Sequence, residues 1–177
     1  MLLSIITVNY NDAIGLEKTI KSVQSQTYRD FEHIIIDGNS NDGSKEIIKK
    51  HKNSFSYWVS KSDSGIYNAM NKGINVAKGE YLLFLNSGDW LYDNEVLGKF
   101  VKFNPIEDIV YGDSQFINPN GNSYLKKMPD NLHGMMIFHR TLNHQSSFYK
   151  NSLFEGDNGY DESYEMLADW VFYNEII

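Results

Sequence analysis

Apolar positions fall into short runs, several rich in β-branched residues, that alternate with stretches of helical spacing. Leu2 to Val8 is almost wholly apolar or β-branched, the pattern of a parallel strand buried on both faces, and the polar Asn9-Tyr10-Asn11-Asp12 ends it. Ile14, Leu16, Ile20 and Val23 then recur at a loose helical spacing. Phe31 to Asp37 reads as a second strand that closes in a polar loop, and Ser44 to His51 as a short helix with Asp42 or Ser44 as its cap. A third strand is expected over Phe55 to Val59 and a helix over Ile66 to Ala77, stopped by Lys78-Gly79. Glu80 to Leu85 is a fourth strand, Asn94 to Phe103 a helix halted by Pro105, and Ile109 to Tyr111 a fifth strand.

Strand and helix alternating in this way imply a parallel sheet with helices on both faces. Ligands of open α/β sheets bind beyond the carboxyl ends of the strands. Asn9 to Asp12, Asp37 to Asp42 and Asn86 to Asp89 all follow strands, so they are expected to converge on one cleft. The pattern changes after about residue 112. Gln115 to Ile117 and Ser123 to Lys126 flank Asn118-Pro119-Asn120-Gly121 as a hairpin would, and Ser163 to Ile177 reads as an amphipathic helix. The whole, residues 1–177, is expected to be one domain, with a ligand-binding half over 1–113 and a second half over 114–177.

Composition narrows the function. A 41% hydrophobic and 22% charged chain is globular rather than disordered, and a net charge of -7 disfavours a nucleic-acid surface. The acidity leaves an anionic ligand open, because one divalent cation reverses the local sign of a site. The chain has no cysteine, hence no disulfide or thiolate chemistry, which fits a reducing cytoplasm. No signal peptide is seen, and no apolar run approaches the length of a membrane span.

Among the candidate residues, Asp89 follows a strong strand in Asn86-Ser87-Gly88-Asp89, where a carboxylate can hold Mg²⁺ or Mn²⁺ or simply cap the next helix. Asp37 can bond a ribose or base, or shape a turn. Tyr10 can stack on a base or sit on the rim. Asp63-Ser64-Gly65 opens a helix bearing Asn68 and Asn71, whose first N–H groups can meet phosphate. His133, His139 and His144 lack the His-x-x-x-His spacing of a zinc site, although His144-Gln145 can line the cleft. Asp169, between Ala168 and Trp170, reads either as a general base of raised pKa or as an inert surface carboxylate. The sequence contains neither a G-x-G-x-x-G after the first strand nor a P-loop.

Several stretches resemble glycosyltransferase family 2. They are Ser4-Ile5-Ile6-Thr7-Val8-Asn9-Tyr10-Asn11, the run from Ser22-Val23-Gln24 through Phe31-Glu32, Ile35-Ile36-Asp37-Gly38-Asn39-Ser40-Asn41-Asp42-Gly43, Ala69-Met70-Asn71-Lys72-Gly73, and Leu85-Asn86-Ser87-Gly88-Asp89. Together they span about residues 2 to 113, in order. His144-Gln145-Ser146 and Ala168-Asp169-Trp170 are similar to bacterial polysaccharide and O-antigen transferases.

The resemblance implies an α/β GT-A (nucleotide-diphospho-sugar transferase) fold, a Rossmann-like mixed sheet with helices on both faces. It implies inverting transfer of a hexose-type sugar from a nucleotide-sugar, a UDP-sugar by expectation, with a Mn²⁺ or Mg²⁺ cofactor. The acceptor would be a glycan or an undecaprenyl-diphosphate-linked sugar in surface polysaccharide biosynthesis. The expected setting is cytoplasmic, with peripheral contact at the inner membrane face and a homodimer as a further expectation. Carried onto this chain, Asp89 binds the metal, Asp169 is the catalytic base, and Val8, Tyr10, Asp37, Asp63, Asn71, Ser87 and Gly88 meet the donor. Two departures stand out: Gly38 replaces the family's second acid after strand 2, and Asn86 and Gly88 stand where acids are common. Members continue beyond the equivalent of Asp169 with segments for acceptor or membrane, whereas this sequence stops eight residues later. A silent nucleotide-binding module and a sugar-nucleotide pyrophosphorylase remain alternatives, the latter disfavoured because residues 9–15 carry no basic residue.

Overall fold

The computed structural model describes residues 2–130, 142–156 and 158–176; His133 and His139 lie outside them. The chain runs β1 (Leu3–Asn9), α1 (Ala13–Gln24), β2 (Phe31–Asp37), α2 (Ser44–His51), β3 (Tyr57–Ser60), α3 (Ile66–Ile74), β4 (Tyr81–Phe84) and α4 (Val96–Phe103). It continues through β5 (Ile109–Tyr111), β6 (Ser114–Ile117), β7 (Ser123–Lys126), β8 (Ser147–Lys150) and α5 (Ala168–Ile176).

Six strands form one sheet in the order β3-β2-β1-β4-β8-β5. β1 is central and buried along its whole length, as its apolar run requires. It pairs in parallel with β2, Asn9 opposite Asp37, and with β4, Ile6 opposite Phe84. The chain first builds outward through β2 and β3, then crosses back to place β4 on the other side of β1. That reversal opens a crevice at the carboxyl ends of β1 and β4, the usual ligand position in such sheets. The two faces alternate along the strands. Ile6, Val8, Ile34, Ile36, Leu82 and Phe84 pack against α3 and α5 through Met70, Ile74, Phe172 and Tyr173. Leu3, Ile5, Leu83 and Leu85 pack against Val23 of α1 and Leu97 and Phe100 of α4, while Ile35 meets Leu16, Ile20 and Ile48 of α1 and α2. Helices therefore cover both faces.

The purely parallel sheet expected from strand–helix alternation is corrected by β8. This strand, not anticipated from the sequence, lies antiparallel between β4 and β5. It draws part of the second half into the same sheet, giving the mixed sheet that the resemblance implied. β6 and β7 form the expected hairpin as a separate two-stranded sheet. The last helix begins at Ala168 rather than Ser163, because Leu167 sits at φ 72°, outside the helical region. β3 begins at Tyr57 rather than Phe55, which bonds back to Lys52 and sets its ring edge-on to His33. α3 ends at Ile74 because the amides of Val76 and Ala77 turn back to Gly73.

Candidate active site

The loops after β1, β2 and β3 meet around a buried carboxylate. Asp37, with no exposed surface, accepts from Asn9 Nδ2 at 2.7 Å, Ser40 Oγ at 2.6 Å, Ser40 N at 3.1 Å and Ser60 Oγ at 2.5 Å. Four donors fill a carboxylate's acceptor positions. These bonds let Asp37 order the loop beneath the site where the resemblance expects a nucleoside. Asn9, on the neighbouring strand, was not singled out from the sequence. Its signal was a polar residue in register with Asp37. Tyr10, the next residue, is 69% exposed, with its ring free to stack. Val8 is buried, and its carbonyl takes the Ser87 N–H at 3.0 Å, which joins the β1 and β4 ends. Asp63, at the approach to α3, takes the Gly65 N–H on Oδ1 at 3.2 Å.

The loop after β4 is shaped by Thr19, a fully buried residue of α1 that was also missed. Its hydroxyl lies 2.7 Å from the Asp89 carbonyl and 3.3 Å from that of Asn86, and accepts the Gly88 N–H at 3.1 Å. Gly88 needs its glycine, because φ is 90° there. A polar, β-branched residue on an otherwise apolar helix face was the available signal. The turn so formed presents Asp89 toward Gln145. Burial pushes the Asp89 carboxyl above its ordinary pKa, opposed by a hydrogen bond from Gln145 and the charge of His144.

His144 links the second carboxylate to this loop. Its Nδ1 lies 3.4 Å from Asp169 Oδ2, a long contact, and its Nε2 lies 3.1 Å from Asn86 Nδ2. In the neutral ring, Nδ1–H facing Asp169 leaves Nε2 as the acceptor for Asn86; in the protonated ring His144 adds its charge to the Asp169 contact. Asp169 Oδ1 accepts from the Tyr67 hydroxyl of α3 at 3.2 Å and from Trp170 N at 3.0 Å. The raised pKa expected for Asp169 is reversed. Burial does push it up, but His144, by hydrogen bond and charge, together with Trp170 N–H and the Tyr67 hydroxyl, holds it below the ordinary value. Asp169 thus stands half-buried beside His144, which in turn meets Asn86 of the Asp89 loop, rather than on an outer helix face. The strained Leu167 at the entrance to α5 fits the backbone cost often found at functional sites.

Asn71, expected among the donor contacts, turns its amide toward the 158–162 segment. Its amide bonds the backbone of Tyr160 in both directions, Nδ2 to O at 2.8 Å and N to Oδ1 at 2.9 Å, and reaches Glu162 at 2.9 Å. It staples the 158–162 segment to α3.

The donor set suits a hard divalent cation that draws most of its ligands from elsewhere. Asp89 is a half-buried carboxylate whose charged form burial disfavours, and Asn86 Oδ1, in the same loop, is a buried oxygen with no hydrogen-bond partner. Both are oxygen ligands of the kind Mg²⁺ and Mn²⁺ prefer. Among the described residues no group of three or more His, Cys, Asp or Glu is placed to hold a metal alone.

A chain with this strand order and with carboxylates at the ends of β4 and α5 has the architecture of a nucleotide-sugar transferase. It belongs to glycosyl transferase family 2, whose model matches residues 4–165. It is 34% identical over 175 residues to an uncharacterized glycosyltransferase of Mycobacterium tuberculosis, covering 96% of this chain and 66% of that one. A PGL/p-HBAD biosynthesis glycosyltransferase of Mycobacterium bovis is 33% identical over 177 residues, with 97% and 68% covered. The fold is that of S. aureus TarS 1-349, solved in complex with UDP-GlcNAc: the TM-score is 0.78 at 21% identity, over 97% of this chain and 52% of TarS. The fold is accordingly GT-A, and the chain spans about two thirds of the length of the curated relatives it matches. Family membership sets the pyrophosphorylase alternative aside. Among the described residues no helix is long and apolar enough to cross a membrane.

Proposed function

We propose that the chain transfers a hexose-type sugar, with inversion, from a UDP-sugar to a hydroxyl of a glycan or lipid-linked acceptor. One observation carries the reading: His144 joins Asp169 of α5, at 3.4 Å, to Asn86 of the loop after β4 that carries Asp89, at 3.1 Å. The nucleoside lies at the ends of β1 to β3, against Tyr10, and the diphosphate crosses to the Ser87-Gly88-Asp89 turn. In a single displacement the acceptor oxygen bonds the anomeric carbon as that carbon's bond to the phosphate oxygen breaks. The departing electron pair stays on the nucleoside diphosphate, and the acceptor's proton passes to Asp169. A divalent cation held by Asp89 and Asn86 Oδ1 would neutralise the leaving diphosphate. Tyr67 and His144 fix both oxygens of Asp169, and its lowered pKa keeps it ionised as a base. The M. bovis relative's role in PGL/p-HBAD biosynthesis and the UDP-GlcNAc bound by TarS support a glycolipid or surface-glycan acceptor and a uridine donor. Such an acceptor places the reaction at the inner membrane face. Incubation with UDP-sugars and Mn²⁺, read by release of UDP, tests the proposal. Slow donor hydrolysis is expected even without acceptor, whereas UDP binding with no turnover would make the chain a silent binding module.

A further inference from the structure

Gly38 leaves an open spot beside Tyr10. A Cβ built on Gly38 would lie 2.8 Å from Asp63 Oδ2 and 3.0 Å from Tyr10 Cδ2. The carboxylate of Asp63 therefore leans over the bare backbone of Gly38, next to the exposed ring assigned to stacking. Its two oxygens have different tasks: Oδ1 takes the Gly65 N–H, while Oδ2 is the atom aimed at this spot. We infer that Asp63 reads the base of the donor, accepting from a ring N–H on its Watson–Crick edge. Resting on the donor-site reading above, this assigns the specificity of that site.

The chemistry is selective. A base stacked on Tyr10 presents its edge sideways, toward Oδ2. Uracil carries N3–H there, as thymine does, and guanine carries N1–H; each donates to a carboxylate, which is acceptor-only. Cytosine and adenine present a lone pair at the corresponding ring nitrogen, which the carboxylate repels, and leave only the exocyclic amino group to donate to it. Gly38 is part of the same device, because any side chain there would displace Asp63. A hydrogen bond from base to carboxylate that one nucleotide makes and its analogue cannot is worth about 10–100-fold in affinity.

UDP and CDP separate the possibilities, since they differ only on that edge. Titrations use the full chain with Mn²⁺. Wild type is expected to prefer UDP by at least about 10-fold. Asp63→Asn keeps Oδ1 for the Gly65 N–H and so turns an N–H₂ donor toward the base; UDP weakens, CDP strengthens and the preference is lost. The double variant Gly38→Asp with Asp63→Ser moves the carboxylate to the other side of the same gap, and recovery of UDP preference supports the assignment even if Asp63→Asn folds poorly. If Asp63→Asn binds UDP with the wild-type preference over CDP, the assignment is overturned while the donor site stands. If wild type binds neither nucleotide, the donor-site reading falls with it.

Discussion

Replacing Thr19 by Val removes one hydroxyl and keeps the shape, so it tests what that hydroxyl, which also lies 3.0 Å from the Gly15 carbonyl of its own helix, does for the β4 loop. The wild-type O–H has its shortest partner in the Asp89 carbonyl at 2.7 Å, and its oxygen accepts the Gly88 N–H at 3.1 Å. Each hydrogen bond contributes about 0.5–1.5 kcal/mol net, and two partly buried backbone groups lose their partner, so the cost is about 1–3 kcal/mol. For a chain of this size that is a fall in melting temperature of roughly 3–10 °C. The loss falls on the two residues that aim the Asp89 carboxylate. Metal-dependent nucleotide affinity is therefore expected to drop by about 10-fold, while metal-free affinity changes little. Thr19→Ser keeps the hydroxyl and loses one methyl group, costing about 1 kcal/mol without the binding defect. Thermal melts and calorimetric titration of UDP with and without Mn²⁺ provide both readings. A Val variant that matches the Ser variant in metal-dependent binding would refute Thr19 as the organiser of this turn.

Other expectations concern different parts of the chain. Tyr10→Ala lowers UDP affinity by roughly 1–3 kcal/mol in titration, and Tyr10→Phe leaves it nearly unchanged, because stacking uses the ring; equal losses would assign the effect to the hydroxyl. Asp169→Asn keeps donor affinity and slows transfer by about 10²–10⁴-fold in steady-state assays. His144→Gln removes the main group lowering the Asp169 pKa, so the acid limb of the kcat/KM profile moves to higher pH; an unmoved limb excludes His144 as that group. His33 is fully buried and pushed down to about 3 by its burial. The unfolded chain takes up this proton near pH 6.5 and the native chain only near 3, so its stability is intact above the first value and declines below it. Urea midpoints for wild type and His33→Gln are expected to diverge in slope by up to about 1.4 kcal/mol per pH unit between those limits. Parallel slopes would mean that His33 is protonated in the native state.

Much of the fold was legible because its strands are buried on both faces and therefore run apolar without interruption. β1, β2 and β4 and the loops after them follow from that signal, and the hairpin follows from its Asn118-Pro119-Asn120-Gly121 turn. β8 was not legible: Ser147 to Lys150 is four residues long, and it is a strand only because β4 and β5 offer free edges on either side. The start of α5 was misplaced for a similar reason. Glu162 is anchored by Asn68 and Asn71 of α3, and Leu167 breaks the backbone before the helix begins. Around the site, residue types alone pointed to Asp89 and Asp169 but could not tell a saturated carboxylate from a free one. Asp37 is enclosed by donors from three segments, and Asn71 is committed to Tyr160, 89 positions away. The downward shift of the Asp169 pKa was hidden for the same reason: its causes lie on α3 and beside β8, distant in sequence.

The central claim is that the turn after β4 holds the cation on which the donor diphosphate is bound. It is tested most directly by calorimetric titration of UDP into wild type and Asp89→Ala, each with Mn²⁺ and with chelator. Wild-type affinity is expected to rise on the order of 10–100-fold with Mn²⁺, and Asp89→Ala to bind as the metal-free wild type does. Equal wild-type affinity with and without Mn²⁺, or an Mn²⁺ gain that survives Asp89→Ala, would contradict the account.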